Sequence, residues 1–114
     1  MLMKSIIYHN PRCSKSRETL ALLQNRGIDL VVVEYLKNPL DIEQLKALRA
    51  HFSFNDFVRT DEPIFKTLGL SMQDEIQILH AMVKDPVLMQ RPIVTFNGQA
   101  RIGRPPEKVL ELFD

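Results

Sequence analysis

Asn97-Gly98, set between Ile93-Val94-Thr95-Phe96 and Ala100-Arg101-Ile102, is the feature that most restricts the fold of this chain. A two-residue hairpin turn of type I′ needs positive φ at both central positions, and Asn-Gly is the preferred pair, so the flanking runs are expected to pair antiparallel. A hairpin alone is marginal in water and needs further strands or a helix to cover it. Those elements stand at the other end of the chain. Ile6-Ile7-Tyr8 is β-branched and aromatic, and Thr19-Leu20-Ala21-Leu22-Leu23 carries apolar residues at helical spacing. Gly27 is placed to end that helix, and Leu30-Val31-Val32-Val33-Glu34-Tyr35 has strand type and length. An apolar run at consecutive positions predicts burial on both faces, as in a parallel sheet, and a right-handed βαβ unit.

Between these ends the pattern is helical. Asp41 is an N-cap candidate ahead of Ile42, Leu45 and Leu48. Asn55 to Val83 holds short helices broken at Gly69; in a segment starting at Ser71 the apolar Ile76, Leu79 and Val83 share one face, and Pro86 ends it. After the hairpin, Pro105-Pro106-Glu107 opens a last helix through Val109, Leu110, Leu112 and Phe113. A βαβ unit followed by a ββα unit is the α/β arrangement of the thioredoxin-like fold. The expectation is one domain over residues 1–114 with a helical insertion at about 40–88.

A chain of 114 residues with net charge +1 and no block of like charge is a poor match to a nucleic-acid-binding or polybasic membrane surface. No run approaches the ~20 apolar residues of a membrane span, and Met1-Leu2-Met3-Lys4 does not begin a signal peptide, so the expected location is the cytoplasm. There is one cysteine and no Cys/His cluster at zinc spacing, so no disulfide scaffold and no metal site is expected.

That cysteine, Cys13, falls where the first strand gives way to the first helix, within His9-Asn10-Pro11-Arg12-Cys13-Ser14-Lys15-Ser16-Arg17. Unpaired N–H groups and the helix dipole there favour a negative charge. Cations in a first helical turn oppose the dipole, a conflict that a thiolate or a bound anion relieves. Such surroundings bring a thiol pKa from about 8.5 into the range of roughly 3.5 to 7.5, making Cys13 a candidate nucleophile. His9, four positions earlier, either supports the thiolate or is structural.

Arg91-Pro92 and Arg104-Pro105 stand at either end of the hairpin, where proline holds the arginine backbone extended. Guanidinium groups present planar paired donors that suit a tetrahedral oxyanion. Arg59, in the helical segment, is a third candidate. Each arginine alone reads as a surface ion pair, and the functional case rests on the set. Other motifs fail. A tyrosine-phosphatase loop requires an arginine after five intervening residues, where this chain has Thr19; the Gly98 and Gly103 spacing lacks the Lys-Ser/Thr of a P-loop. Cys13-Ser14-Lys15-Ser16 has the frame of a Cys-x-x-Cys motif with serine second, so any resolving thiol comes from another molecule.

Tyr8-His9-Asn10-Pro11-Arg12-Cys13, with Arg91-Pro92-Ile93-Val94 and Arg101-Ile102-Gly103-Arg104-Pro105-Pro106-Glu107, resembles the ArsC family of glutaredoxin-coupled arsenate reductases, and the resemblance is particularly close to its short YfgD-like members. The resemblance implies a thioredoxin-like fold with a helical insertion, no bound cofactor or metal, arsenate or a similar oxyanion as substrate, glutathione as co-substrate and glutaredoxin as protein partner. It implies Cys13 as nucleophile, Arg59, Arg91 and Arg104 as oxyanion ligands, and His9 and Ser16 as thiol-activating residues. Thioredoxin-like folds place a cis-proline opposite the nucleophile, which predicts a cis Arg91–Pro92 bond and a structural role at the site for Pro92. Two alternatives remain open from the residues: a monothiol glutathione-linked redox protein, and an Spx-like redox-sensing adaptor, although Spx regulators carry Cys-x-x-Cys where this chain has Ser16.

Overall fold

The central strand β1 (Ser5–His9) alternates in burial, with Ser5, Ile7 and His9 turned inward. A computed structural model describes residues 4–114; the N-terminal Met1-Leu2-Met3, part of the signal-peptide reading, lies outside the described residues. The elements that follow are α1 (Ser14–Asn25), β2 (Leu30–Glu34), α2 (Ile42–Arg49), α3 (Phe54–Phe57), α4 (Pro63–Thr67) and α5 (Glu75–Lys84). A 3₁₀ turn at Pro86–Leu88, strands β3 (Ile93–Phe96) and β4 (Gln99–Ile102), and a 3₁₀ helix at Pro106–Leu112 complete the order. The described residues divide into two compact units, one made of those up to Tyr35 together with Arg91–Asp114, the other of Leu36–Gln90.

In the first unit the sheet runs β2-β1-β3-β4, with β1 parallel to β2 and antiparallel to β3. This α/β arrangement, βαβ then ββα, is thioredoxin-like. The hairpin forms at the expected place, with Asn97 at φ 54° and Gly98 at φ 74°, both in the left-handed region that a twisted two-residue turn demands. Helix α1 ends at Gly27, whose N–H donates to the Gln24 carbonyl while that of Ile28 donates to Leu23. Ile7, Leu23, Val94, Val109 and Leu112 form the core between sheet, α1 and the C-terminal 3₁₀ helix, extended by the stacked rings of Phe96 and Phe113. Burying each such side chain contributes about 1.5–3 kcal/mol.

Two readings are corrected in this unit. Strand β2 is not buried on both faces: it is an edge strand, and Val31 and Val32 are 42% and 43% exposed. The last helix is 3₁₀ rather than α.

The second unit is helical. Asp41 caps α2 in a reciprocal box: its side chain accepts from the Gln44 N–H, and the Gln44 side chain accepts from the Asp41 N–H. Asp74 caps α5 by accepting from the Gln77 N–H. Leu45 and Leu48 of α2 are buried, and α2 packs on α5. The buried face of α5 is Ile78, Leu79 and Met82 rather than Ile76, Leu79 and Val83; Ile76 is 55% exposed. Both stripes satisfy helical spacing, and which one turns inward is decided by where α2 lies. Arg49 ties the two helices with paired donors to Glu75, Nε at 3.2 Å and Nη2 at 2.9 Å.

Candidate active site

The β1–α1 connection is built by short-range bonds. The Asn10 side chain accepts from the Arg12 N–H at 3.0 Å, and the Cys13 N–H donates to the Asn10 carbonyl at 3.0 Å. The turn leaves Cys13 as the N-cap of α1, with φ −94° and ψ 123°. The first turn of α1 holds no acid. Burial raises the thiol pKa, but the N–H of Ser16, the charge of Arg91, the N–H of Lys15 and the charge of Arg104 outweigh it, and the pKa lies below its ordinary value. The thiol is half-buried, so the sulfur has access to solvent while its charge is held by protein groups.

His9 and Ser16 come together beneath this loop. Both are buried, His9 Nδ1 lies 2.6 Å from Ser16 Oγ, and that oxygen also accepts from the Asn10 N–H at 3.0 Å. Burial lowers the His9 pKa and Arg17 lowers it further, against an opposing pull from Glu34, so the imidazole is neutral at pH 7.

The Arg91–Pro92 bond is cis, as expected, and so is Arg104–Pro105. The two Arg-Pro segments are joined by the Gly103 N–H, which donates to the Pro92 carbonyl at 2.9 Å. Arg104 has a buried Nη1 with no hydrogen-bond partner among the described residues. A buried donor left without an acceptor is costly, and an anion is the group that would satisfy it. Cys13, His9, Ser16, Arg91, Pro92 and Arg104 thus fall in one unit. Arg59 belongs to the other, where it pairs with Glu62 at 2.6 Å and donates from Nη1 to the Val87 carbonyl at 3.4 Å. Its Nε is buried without a partner among the described residues. Among the described residues no cluster of three or more His, Cys, Asp or Glu could hold a metal, and no helix is long and apolar enough to cross a membrane.

Two residues at the site escape a sequence reading. A Cβ added at Gly103 would stand 2.5 Å from Thr19 Oγ1 and 2.9 Å from Pro92 Cγ, so this position is a close approach between α1 and the proline segment. From sequence Thr19 is read as part of the first helical run and as the residue that breaks a phosphatase-type loop, with no role at the site. The signal available was a threonine one turn after Ser16, on the stripe that continues to Leu23.

Residues 8–112 match the profile of the ArsC family. The chain is 50% identical over 111 residues to the uncharacterised protein YfgD of Escherichia coli strain K12, covering 93% of each. It is 41% identical over 115 residues to an arsenate reductase of Haemophilus influenzae, covering 96% of this chain and 99% of that one. The structure superposes on that of an arsenate reductase from Vibrio cholerae with a TM-score of 0.89 at 46% identity, covering 98% and 99% of the two chains.

Proposed function

This chain belongs to the ArsC family, and on that premise we propose that it is an arsenate reductase that works through the single thiolate of Cys13 and borrows its other thiols from glutathione and glutaredoxin. The observation that carries the reading is the pairing of an N-cap thiol, whose pKa is lowered by two backbone N–H groups and two arginines, with a buried Arg104 donor that has no acceptor among the described residues. Arsenate fits the donor chemistry because its oxygens accept from guanidinium forks while its arsenic faces the sulfur. Arg91 and Arg104, in the same unit as Cys13, hold the anion.

The Cys13 thiolate attacks arsenic and an oxygen leaves as water. Glutathione displaces a second oxygen, giving an arsenic bonded to both sulfurs. A glutaredoxin thiolate then takes the glutathione sulfur as a mixed disulfide, and the electron pair of the broken As–S bond stays on arsenic, reducing it from the +5 to the +3 state. Water releases arsenite and returns Cys13 as thiolate. The neutral His9 and the Ser16 hydroxyl hold the first turn of α1 and help keep the thiol ionised.

Arsenate-dependent NADPH oxidation, measured with purified protein, glutathione, glutaredoxin and glutathione reductase, tests this reading. Turnover by the wild type and none by Cys13→Ser is the expected result. Full activity in Cys13→Ser would end the mechanism, and no turnover by reduced wild type would move the assignment to glutathione-linked thiol exchange.

A further inference from the structure

The buried stripe of α1 starts with two hydroxyls, Ser16 and Thr19, both 0% exposed, before it becomes apolar at Leu23. The Thr19 hydroxyl donates to the Lys15 carbonyl at 2.8 Å. A bond to the carbonyl four residues back is the ordinary way a helical threonine satisfies a buried hydroxyl. What is particular here is which peptide group receives it. The Lys15 carbonyl and the Ser16 N–H are two ends of one peptide unit, and that N–H is the leading group favouring the Cys13 thiolate. A donor on the carbonyl polarises the amide and strengthens what its N–H can donate. The same side chain faces Gly103, and the Gly103 N–H holds the Pro92 carbonyl. Thr19 therefore touches, directly or through one bond, the helix turn under the sulfur and the segments that carry Arg91 and Arg104.

We propose that Thr19 is a positioning residue for Cys13: its hydroxyl polarises the Lys15–Ser16 peptide in the first turn of α1, and its side chain seats α1 against Gly103 between the two Arg-Pro segments. The proposal rests on Cys13 being the reactive thiol, as in the function proposed above, but not on arsenate being its substrate. Among the described residues, the charged and titratable groups around the site include Arg12, Lys15 and Arg17 on the loop and helix of Cys13, His9 on β1, Glu34 on β2, and Arg91 and Arg104 beside the hairpin. None of them is altered by a substitution at Thr19.

The test is the pH profile of iodoacetamide alkylation of Cys13, the sole cysteine, in folded protein checked by circular dichroism. Thr19→Val keeps the shape and removes the hydroxyl; Thr19→Ser and Thr19→Ala form a second pair that differs in the hydroxyl alone. Loss of the hydroxyl is expected to raise the alkylation midpoint by about 0.3–0.6 pH units, a roughly two- to fourfold loss of thiolate below the midpoint, with Thr19→Ser staying near wild type. A depressed wild-type midpoint that is unchanged in Thr19→Val, or Ser and Ala variants with the same midpoint, would overturn the proposal alone. A wild-type midpoint near about 8.5 would overturn it together with the reactive-thiol reading.

Discussion

Helices α1 and α2 begin in opposite ways. At α2, Asp41 and Gln44 exchange side-chain and backbone bonds, and Glu43 puts an acid in the first turn. At α1 the cap residue is Cys13, no side chain caps the first turn, no acid is present, and Lys15 and Arg17 add positive charge. The first start serves stability: orphan N–H groups find acceptors and the dipole finds its counter-charge. The second leaves those N–H groups to a sulfur that must also react. The contrast teaches that a helix start which breaks the capping rules on several counts at once marks a place where an anion belongs.

Breaking the contrast at the sulfur has the largest expected effect. Cys13→Ser should lose arsenate turnover altogether in the coupled NADPH assay. Arg104→Lys and Arg91→Lys keep the charge but lose the paired donors, and each should lower the rate by ~10²-fold or more if the guanidinium meets charge that develops in the transition state. A rate within twofold of wild type for both would remove the arginines from the site.

Converting α1 to the style of α2 sharpens the comparison. Cys13→Asp should be more stable than Cys13→Ala by about 1 kcal/mol in urea unfolding while both are inactive, because the carboxylate supplies the acceptor that the first turn otherwise lacks. The reverse change, Asp41→Ala, should cost about 1 kcal/mol of stability and leave the Cys13 alkylation profile where it was.

The smallest effects are on pH dependence. The Cys13 pKa is depressed in the folded protein, so the unfolded state binds more protons between that value and about 8.5. Stability relative to Cys13→Ser should therefore rise with pH across this window, and the gain is lost as pH falls through the folded value. The His9 pKa is also depressed, by burial first, so stability should fall as pH drops below about 6.5, where the unfolded chain protonates before the folded one. Urea midpoints from pH 5 to 9 measure both, and a His9→Asn variant should flatten the acid limb.

What the amino-acid sequence determined by itself is what depends on neighbours in the chain. Asn97-Gly98 dictates its own turn, Asp41 and Gln44 cap their own helix, Gly27 ends α1, and Cys13 reaches a helix start because a strand-type run meets a helix-type run there. The arrangement of a thioredoxin-like fold followed from the order of those elements, and the cis Arg91–Pro92 bond from their place in it. Only the tertiary structure decided what depends on distant neighbours. Val31 and Val32 look like core residues until the strand order leaves β2 at the sheet edge, and Ile76 looks inward until α2 chooses the other stripe of α5. Thr19 and Gly103 are 84 positions apart, and nothing local to either announces that one fits the space the other leaves. Burial and close approach are properties of pairs of surfaces, and a one-dimensional pattern records the surfaces without the pairing.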